Sequence, residues 1–199
     1  MKKVGHAGTL DPLATGILIV ALGGATKLLQ FLLGCDKEYE VLARFGAITE
    51  SYDADSPPQK ISDEIFSEDQ VKKAMLDFSG TIEQIPPKYS ALKIGGRRAA
   101  DIMRSGGDVI MKPRNVTIFD FKLTSFRWPE AKFIVKCSSG TYIRSLINDL
   151  GQKLGCGAYV AELRRLKIKD FDVFDAKLVA DLSPDDLIPS EEVAKNLPL

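Results

Sequence analysis

GHAGTLDPLATG, running from Gly5 to Gly16, is a stretch that neither regular helix nor regular strand accommodates. Gly5, Gly8 and Gly16 permit positive φ or close backbone approach, while Pro12 fixes its own φ and biases Asp11 away from the α region. A short carboxylate is thereby held on a stiff loop whose small neighbours leave room for something bulky. Nucleophiles and general bases are presented in this way. Asp before Pro also initiates ordinary turns, and clusters of Gly, Thr and Asp often only connect elements. The spacing alone leaves both readings open.

Outward from this loop, Ile17 to Leu22 (ILIVAL) is a continuous apolar run, read as a buried strand, and Gly23-Gly24 turns it into a helix over Ala25 to Leu33. KEYEVLARF (Lys37 to Phe45) alternates as a strand with Tyr39, Val41, Ala43 and Phe45 on one side. Thr49 to Ile61, with Pro57-Pro58, is a loop; Ser67 and Gln70 form a capping-box pair opening a helix that ends before Gly80. A short strand follows at Thr81 to Ile85, stopped by Pro86-Pro87, then a helix near Arg97 to Arg104. Val116 to Arg127 and Lys132 to Cys137 alternate as a hairpin, Thr141 to Leu154 is amphipathic, and Ala158 to Ile168 returns as a strand. Beyond Phe171 lie a polar loop and a last helix at Ser190 to Asn196. The pattern predicts one α+β domain with a mixed, largely antiparallel sheet flanked by helices and loops.

The 199 residues, 45% hydrophobic, can bury a sizeable core. No apolar run is long enough to span a bilayer, and the start lacks a signal peptide's hydrophobic stretch. Cys35, Cys137 and Cys156 are widely spaced among apolar or glycine neighbours and read as free thiols in a reducing compartment. With His6 the single histidine, a His-based metal centre is disfavoured. The expected setting is the cytoplasm.

Lys plus Arg equals Asp plus Glu, 27 each, so bulk charge gives no support for nucleic-acid binding. The distribution does. Lys88, Lys93, Arg97, Arg98, Arg104, Lys112 and Arg114 face only Asp101 and Asp108 in the segment 88–114, whereas 50–69 is acidic except for Lys60. Such segregation suggests one basic face for a polyanion, although either cluster alone would pass for a solvated surface.

Four places could meet around Asp11: His6, Tyr39, SSGTYIR (Ser138 to Arg144), and Leu163-Arg164-Arg165. The bland readings are a hydrogen-bonded structural histidine, core aromatics at Tyr39 and Tyr142, a surface Arg144 and a core Leu163. Together these runs resemble the TruB family of bacterial tRNA pseudouridine synthases, over nearly the whole chain. GTLDP matches the family's signature, in which the Asp is the catalytic nucleophile. Asp36-Lys37-Glu38-Tyr39 matches its D-K-x-Y strand, whose tyrosine stacks on the target base. Gly140 to Ser145 matches G-T-Y-I-R-[ST], which places Tyr142 against the flipped nucleotide and pairs Arg144 with the catalytic carboxylate. Leu163 to Arg165 matches L-R-R, with the leucine in the base pocket, and His6 matches a histidine contacting RNA. PPKYSALKIGG (Pro86 to Gly96) resembles the insertion that grips the tRNA arm, which makes 86–114 a basic RNA-gripping element.

The resemblance implies an isomerase that converts uridine-55 of the tRNA TΨC stem-loop to pseudouridine. Neither metal nor cofactor is expected, nor a membrane, and the chain is expected to be a monomer. Asp11, Arg144 and Tyr39 would be catalytic, with His6, Tyr39, Tyr142 and Leu163 binding substrate. Whether Asp11 attacks C1′, adds to C6 or takes a ribose proton first is left open.

Family members carry a first strand and a Lys-Pro loop ahead of the KKVGH run, so residues 1–175 read as an N-terminally truncated catalytic domain. Residues 176–199 read as a loop and helix with no separate C-terminal RNA-binding (PUA-type) domain. Ser56 replaces the usual glycine of the family's DADG run, and Ala100 a usual aromatic. The rival readings are a non-catalytic tRNA-binding or folding chaperone and an inactive truncated paralogue. A carboxylate-dependent glycosidase would need a second catalytic carboxylate, and no other acidic residue has as rigid a sequence setting.

Overall fold

The computed structural model describes residues 3–195 and Leu197. Its strands are β1 (Val4–His6), β2 (Thr15–Gly16), β3 (Val20–Leu22), β4 (Lys37–Phe45), β5 (Ala47–Ile48), β6 (Gln59–Lys60), β7 (Gly80–Gln84), β8 (Lys93–Ile94), β9 (Arg97–Arg98), β10 (Arg114–Arg127), β11 (Glu130–Cys137), β12 (Ala158–Ile168) and β13 (Phe171–Asp172). The helices are α1 (Leu29–Gly34), α2 (Glu68–Met75), α3 (Ala99–Arg104), α4 (Ile143–Leu154) and α5 (Ser190–Lys195). No described helix is long and apolar enough to cross a membrane.

The central sheet runs β13-β12-β4-β11-β10-β7, antiparallel throughout, with β2 added in parallel to the outer edge of β12. The expected mixed, largely antiparallel α+β fold is what forms. β4 lies at its centre because its period-two pattern buries Lys37, Tyr39, Val41, Ala43 and Phe45 in turn. Across from that face, α4 sets Leu146, Ile147 and Leu150 fully out of solvent against Phe133, Val135 and Val160. The Gln70 amide donates to Ser67 Oγ, and the Ser67 amide donates to Gln70 Oε1, so the predicted capping box opens α2.

Several local expectations are corrected. The ILIVAL run is not a buried strand: only Val20–Leu22 is strand, paired with β1 in a two-stranded ribbon whose Leu18, Val20 and Leu22 are exposed. His6 lies within β1, opposite Val20, rather than on the loop with Asp11. The predicted helix over 25–33 is split into a 3-10 turn at Gly23–Leu28 and α1, because the paired glycines set a tight start. Arg97 and Arg98 form β9, a two-residue ribbon with β8, and α3 begins only at Ala99. The acidic loop carries one short pairing, β5 with β6. The last helix is described from Ser190 to Lys195; Asn196 lies outside the described residues.

One contact in this framework admits glycine alone. Gly16 has φ +105°, and a Cβ there would stand 2.2 Å from the Arg165 carbonyl oxygen on β12. Neither backbone can yield without breaking the β2·β12 pairing that anchors the Asp11 loop. Gly16→Ala is therefore expected to cost about 2–4 kcal/mol in urea denaturation. Gly24→Ala, where nothing lies within 4 Å, should leave the midpoint nearly unchanged.

Candidate active site

Asp11 projects from the turn between β1 and β2, where Ala14 N closes back onto the Asp11 carbonyl at 2.9 Å. Its carboxylate meets Arg144, the second residue of α4, in a two-point contact: Nε to Oδ2 at 2.9 Å and Nη2 to Oδ1 at 2.8 Å. Such fork-to-carboxylate pairs combine charge with fixed orientation. Arg144 is not the surface residue that its position early in a helix suggests. It is 3% exposed.

The remaining donors of Arg144 are also occupied. Nη2 reaches the Tyr89 carbonyl at 3.0 Å, and Nη1 reaches the Ser51 carbonyl at 2.8 Å and Asp53 Oδ2 at 3.2 Å. Four hydrogen bonds and a second ion pair thus hold the guanidinium. Asp53 is 1% exposed and is held in turn by Ser51 Oγ at 2.5 Å and the Asp55 amide at 3.1 Å. Tyr52, between these ligands, adopts φ +63°, a left-handed turn that aims both the Ser51 carbonyl and the Asp53 carboxylate at one guanidinium.

Asp53 is the principal site residue that sequence reasoning misses, because it shows there only as part of an acidic loop and of the DADS run. It supplies a second carboxylate near Asp11, yet not one suited to glycosidase chemistry, because it is locked away from solvent by Arg144 and Ser51.

Burial pushes the Asp11 carboxyl above its ordinary value of 3.8, with Arg144 pulling it back down and the Asp53 and Asp55 charges adding to the rise. Asp11 keeps 31% of its side chain exposed, so solvent and ligand can still reach the carboxylate.

Tyr39 is nine-tenths buried on β4, and its phenol is pushed up to about 12 by burial, with the Arg165 guanidinium beside it working in the opposite direction. At neutral pH it is a neutral ring with a hydroxyl, not a base. Leu163 lies two residues along β12 from Arg165, opposite Val41, and is 6% exposed. Tyr142 is fixed by Gln84, which accepts from its amide at 2.8 Å and donates to its carbonyl at 3.1 Å. Gln84 is fully buried, and nothing in its local sequence marks this role. The Arg114 guanidinium stacks on the Tyr142 ring at 4.8 Å, with Nε and Nη2 buried and without hydrogen-bond partners. His6 is exposed on the β1·β3 ribbon, and no hydrogen bond joins it to Asp11 among the described residues.

The basic segment forms an arm with its own small core of Ala99, Val109 and Met111. Lys88, Lys93, Arg97, Arg98, Arg104 and Lys112 are exposed on it. Lys88 is already paired with Asp108 at 2.6 Å, and Arg104 lies 3.8 Å from Asp101. The neck of the arm is tied to the site, since Tyr89 binds Arg144 and Ser145 Oγ donates to the Ile85 carbonyl at 2.7 Å.

Comparison with known proteins identifies the family. The family model described as TruB family pseudouridylate synthase (N terminal domain) matches residues 1–143. That of the tRNA pseudouridylate synthase B C-terminal domain matches 144–189. Curated proteins named tRNA pseudouridine synthase B are similar in Opitutus terrae (41% identity, 99% of this chain and 81% of that protein) and Pseudomonas fluorescens (44%, 91% and 59%). The Zymomonas mobilis protein of that name is 49% identical over 85% of this chain and 56% of its own length. The chain therefore spans little more than half of the latter two. Among solved structures, a Cbf5-Nop10-Gar1 complex matches with TM-score 0.69 at 31% identity, over 90% of this chain and 45% of that one. An H/ACA RNP bound to a substrate RNA containing 2'-deoxyuridine matches with TM-score 0.65 at 29% identity, over 90% and 43%. On these matches, and with the signature loop, the arginine and the sheet all in place, the chain belongs to the TruB family of pseudouridylate synthases.

Proposed function

We propose that this chain isomerises a uridine in the TΨC stem-loop of tRNA, conventionally position 55, to pseudouridine, with Asp11 as the nucleophile. The observation that carries the reading is the two-point contact between Asp11 and a buried Arg144. A buried carboxylate must be kept ionised to react, and a guanidinium beside it does so. A chaperone or a degenerate paralogue would have no use for such a pair, since a buried ion pair adds little to stability.

The reaction breaks the N1–C1′ bond, turns the uracil and joins C5 to C1′, so no atom is gained or lost. A uridine stacked in a loop is out of reach and has to be flipped. The Tyr39 and Tyr142 rings replace its lost stacking, at ~1–3 kcal/mol per base. Leu163 closes the apolar side of the pocket, and His6 lies at the rim to meet RNA. Lys93, Arg97, Arg98, Arg104 and Lys112, with Lys88 and Arg114 at the neck, grip the phosphate backbone of the arm. Residues 1–175 supply the catalytic body.

The decisive experiment incubates the protein with an unmodified tRNA transcript and maps pseudouridine at nucleotide resolution. Asp11→Asn should lower turnover by about 10³-fold or more while tRNA is still bound. Wild-type turnover in that variant would end the nucleophile assignment.

The pH dependence follows from the direction of the Asp11 shift. The ionised form is active and burial raises its pKa, so the acid limb of kcat/KM should lie at higher pH than for an ordinary aspartate. In Arg144→Met both lowering influences are gone, and the limb should move to still higher pH. An unmoved limb would count against the pair.

Arg97→Ala with Arg98→Ala should weaken tRNA binding and reduce the slope of log Kd against log salt by about one for each phosphate left without its arginine. Equal slopes in the variant and the parent would remove these residues from the interface.

A further inference from the structure

Two cations lie beneath the Asp11 loop, and their hydrogen bonds run to backbone carbonyls. Lys37, 8% exposed, donates to the Leu33 carbonyl at 3.0 Å and the Cys35 carbonyl at 2.6 Å. Arg165, 1% exposed, donates from Nε to the Ile17 carbonyl at 2.9 Å and from Nη2 to the Gly8 carbonyl at 3.2 Å. A guanidinium this dry is costly unless its acceptors are well placed. Those acceptors are telling. Gly8 and Ile17 bracket Asp11 in the sequence, so one side chain grips both ends of the nucleophile loop. Its backbone carbonyl adds a third hold, accepting from Ile17 N at 3.0 Å.

The same guanidinium lies beside the Tyr39 hydroxyl, and Tyr39 is the residue of β4 that pairs with Arg165 across the sheet. Arg165 therefore joins the loop bearing the carboxylate to the ring proposed to carry the base. It forms no bond with the Asp11 carboxylate itself, whose nitrogen partners both belong to Arg144. Two divergent carbonyls on separate segments of the loop suit the planar fork of arginine better than the point donor of lysine.

We propose that Arg165 is a positioning residue for the isomerisation: it holds the Asp11 loop and the Tyr39 ring in fixed register without touching the substrate. This rests on the assignment of Asp11 given above. A shift of the loop by a fraction of an ångström separates the carboxylate from the reacting carbon, and misplacements on that scale act on turnover more than on binding.

The test measures tRNA affinity, turnover and amide exchange in Arg165→Met, Arg165→Lys, Tyr39→Phe and the Arg165→Met/Tyr39→Phe double variant. In Arg165→Met, kcat should fall about tenfold or more with tRNA Kd kept within about twofold, and Arg165→Lys should recover only part of the loss. The combined loss with Tyr39→Phe should be smaller than the product of the single losses, because the two side chains are cross-strand neighbours acting on one register. The acid limb should stay at its wild-type position, in contrast to Arg144 variants. Turnover in Arg165→Met within about twofold of the parent, fully multiplicative losses, or a displaced acid limb would each overturn the proposal. If Arg165→Met does not fold, wild-type kcat in Arg165→Lys overturns it instead. Amide exchange at Ala14 and Ile17 reads the strap independently of chemistry and should quicken in the arginine variants. Should Asp11→Asn prove active, the nucleophile reading fails, and the exchange rates still decide whether Arg165 straps the loop.

Discussion

Three loops of the site converge on the Arg144 guanidinium. It hydrogen-bonds the Asp11 carboxylate and the carbonyls of Ser51 and Tyr89, and ion-pairs with the Asp53 carboxylate. Through them it ties the signature loop, the acidic loop after β5 and the neck of the basic arm to α4. Two carboxylates against one cation leave the cluster net negative, which is one physical reason why Asp11 holds its proton more readily than an ordinary aspartate. A guanidinium held by four hydrogen bonds and a second ion pair has little freedom to shift, so the Asp11 carboxylate orientation is set in advance. Losing the arginine would strand the buried Asp53 charge, at about 3–5 kcal/mol, whereas losing Asp11 would leave Arg144 paired with Asp53.

Much of this is legible in the sequence because local chemistry and final structure agree. Strict alternation over Lys37 to Phe45 and the apolar pattern of Ala158 to Ile168 mark two central strands to the residue. Ser67 and Gln70 announce their helix through a bond pattern that needs no tertiary partner. The Asp11 loop is recognisable from glycines and a proline whose backbone demands are intrinsic.

What escapes is set by distant partners. Asp53 lies in a stretch as acidic and as proline-rich as any solvated loop, and only the approach of Arg144 makes it a buried ligand. Gln84 looks like an ordinary strand-end polar residue until Tyr142 arrives. The ILIVAL run misleads for the converse reason: its hydrophobicity promises burial on both faces, but the ribbon with β1 leaves alternate residues exposed. In each case the deciding contact comes from another segment of the chain, beyond any local pattern.

Distance along the chain also governs when the site can come into being. Asp11 and Arg144 are 133 residues apart, and Ile17 and Arg165 are 148 apart. During synthesis at about 5–20 residues per second, the Asp11 loop emerges on the order of ten seconds before either arginine exists to hold it. Until then its carboxylate has no counter-charge and its glycines have no strand to rest upon. The Asp11 loop, made long before its partners, is thus among the last elements to be ordered. Its maturation is a checkpoint on completion of the sheet: a chain arrested before β12 holds the Asp11 carboxylate but lacks the strand that orients its loop.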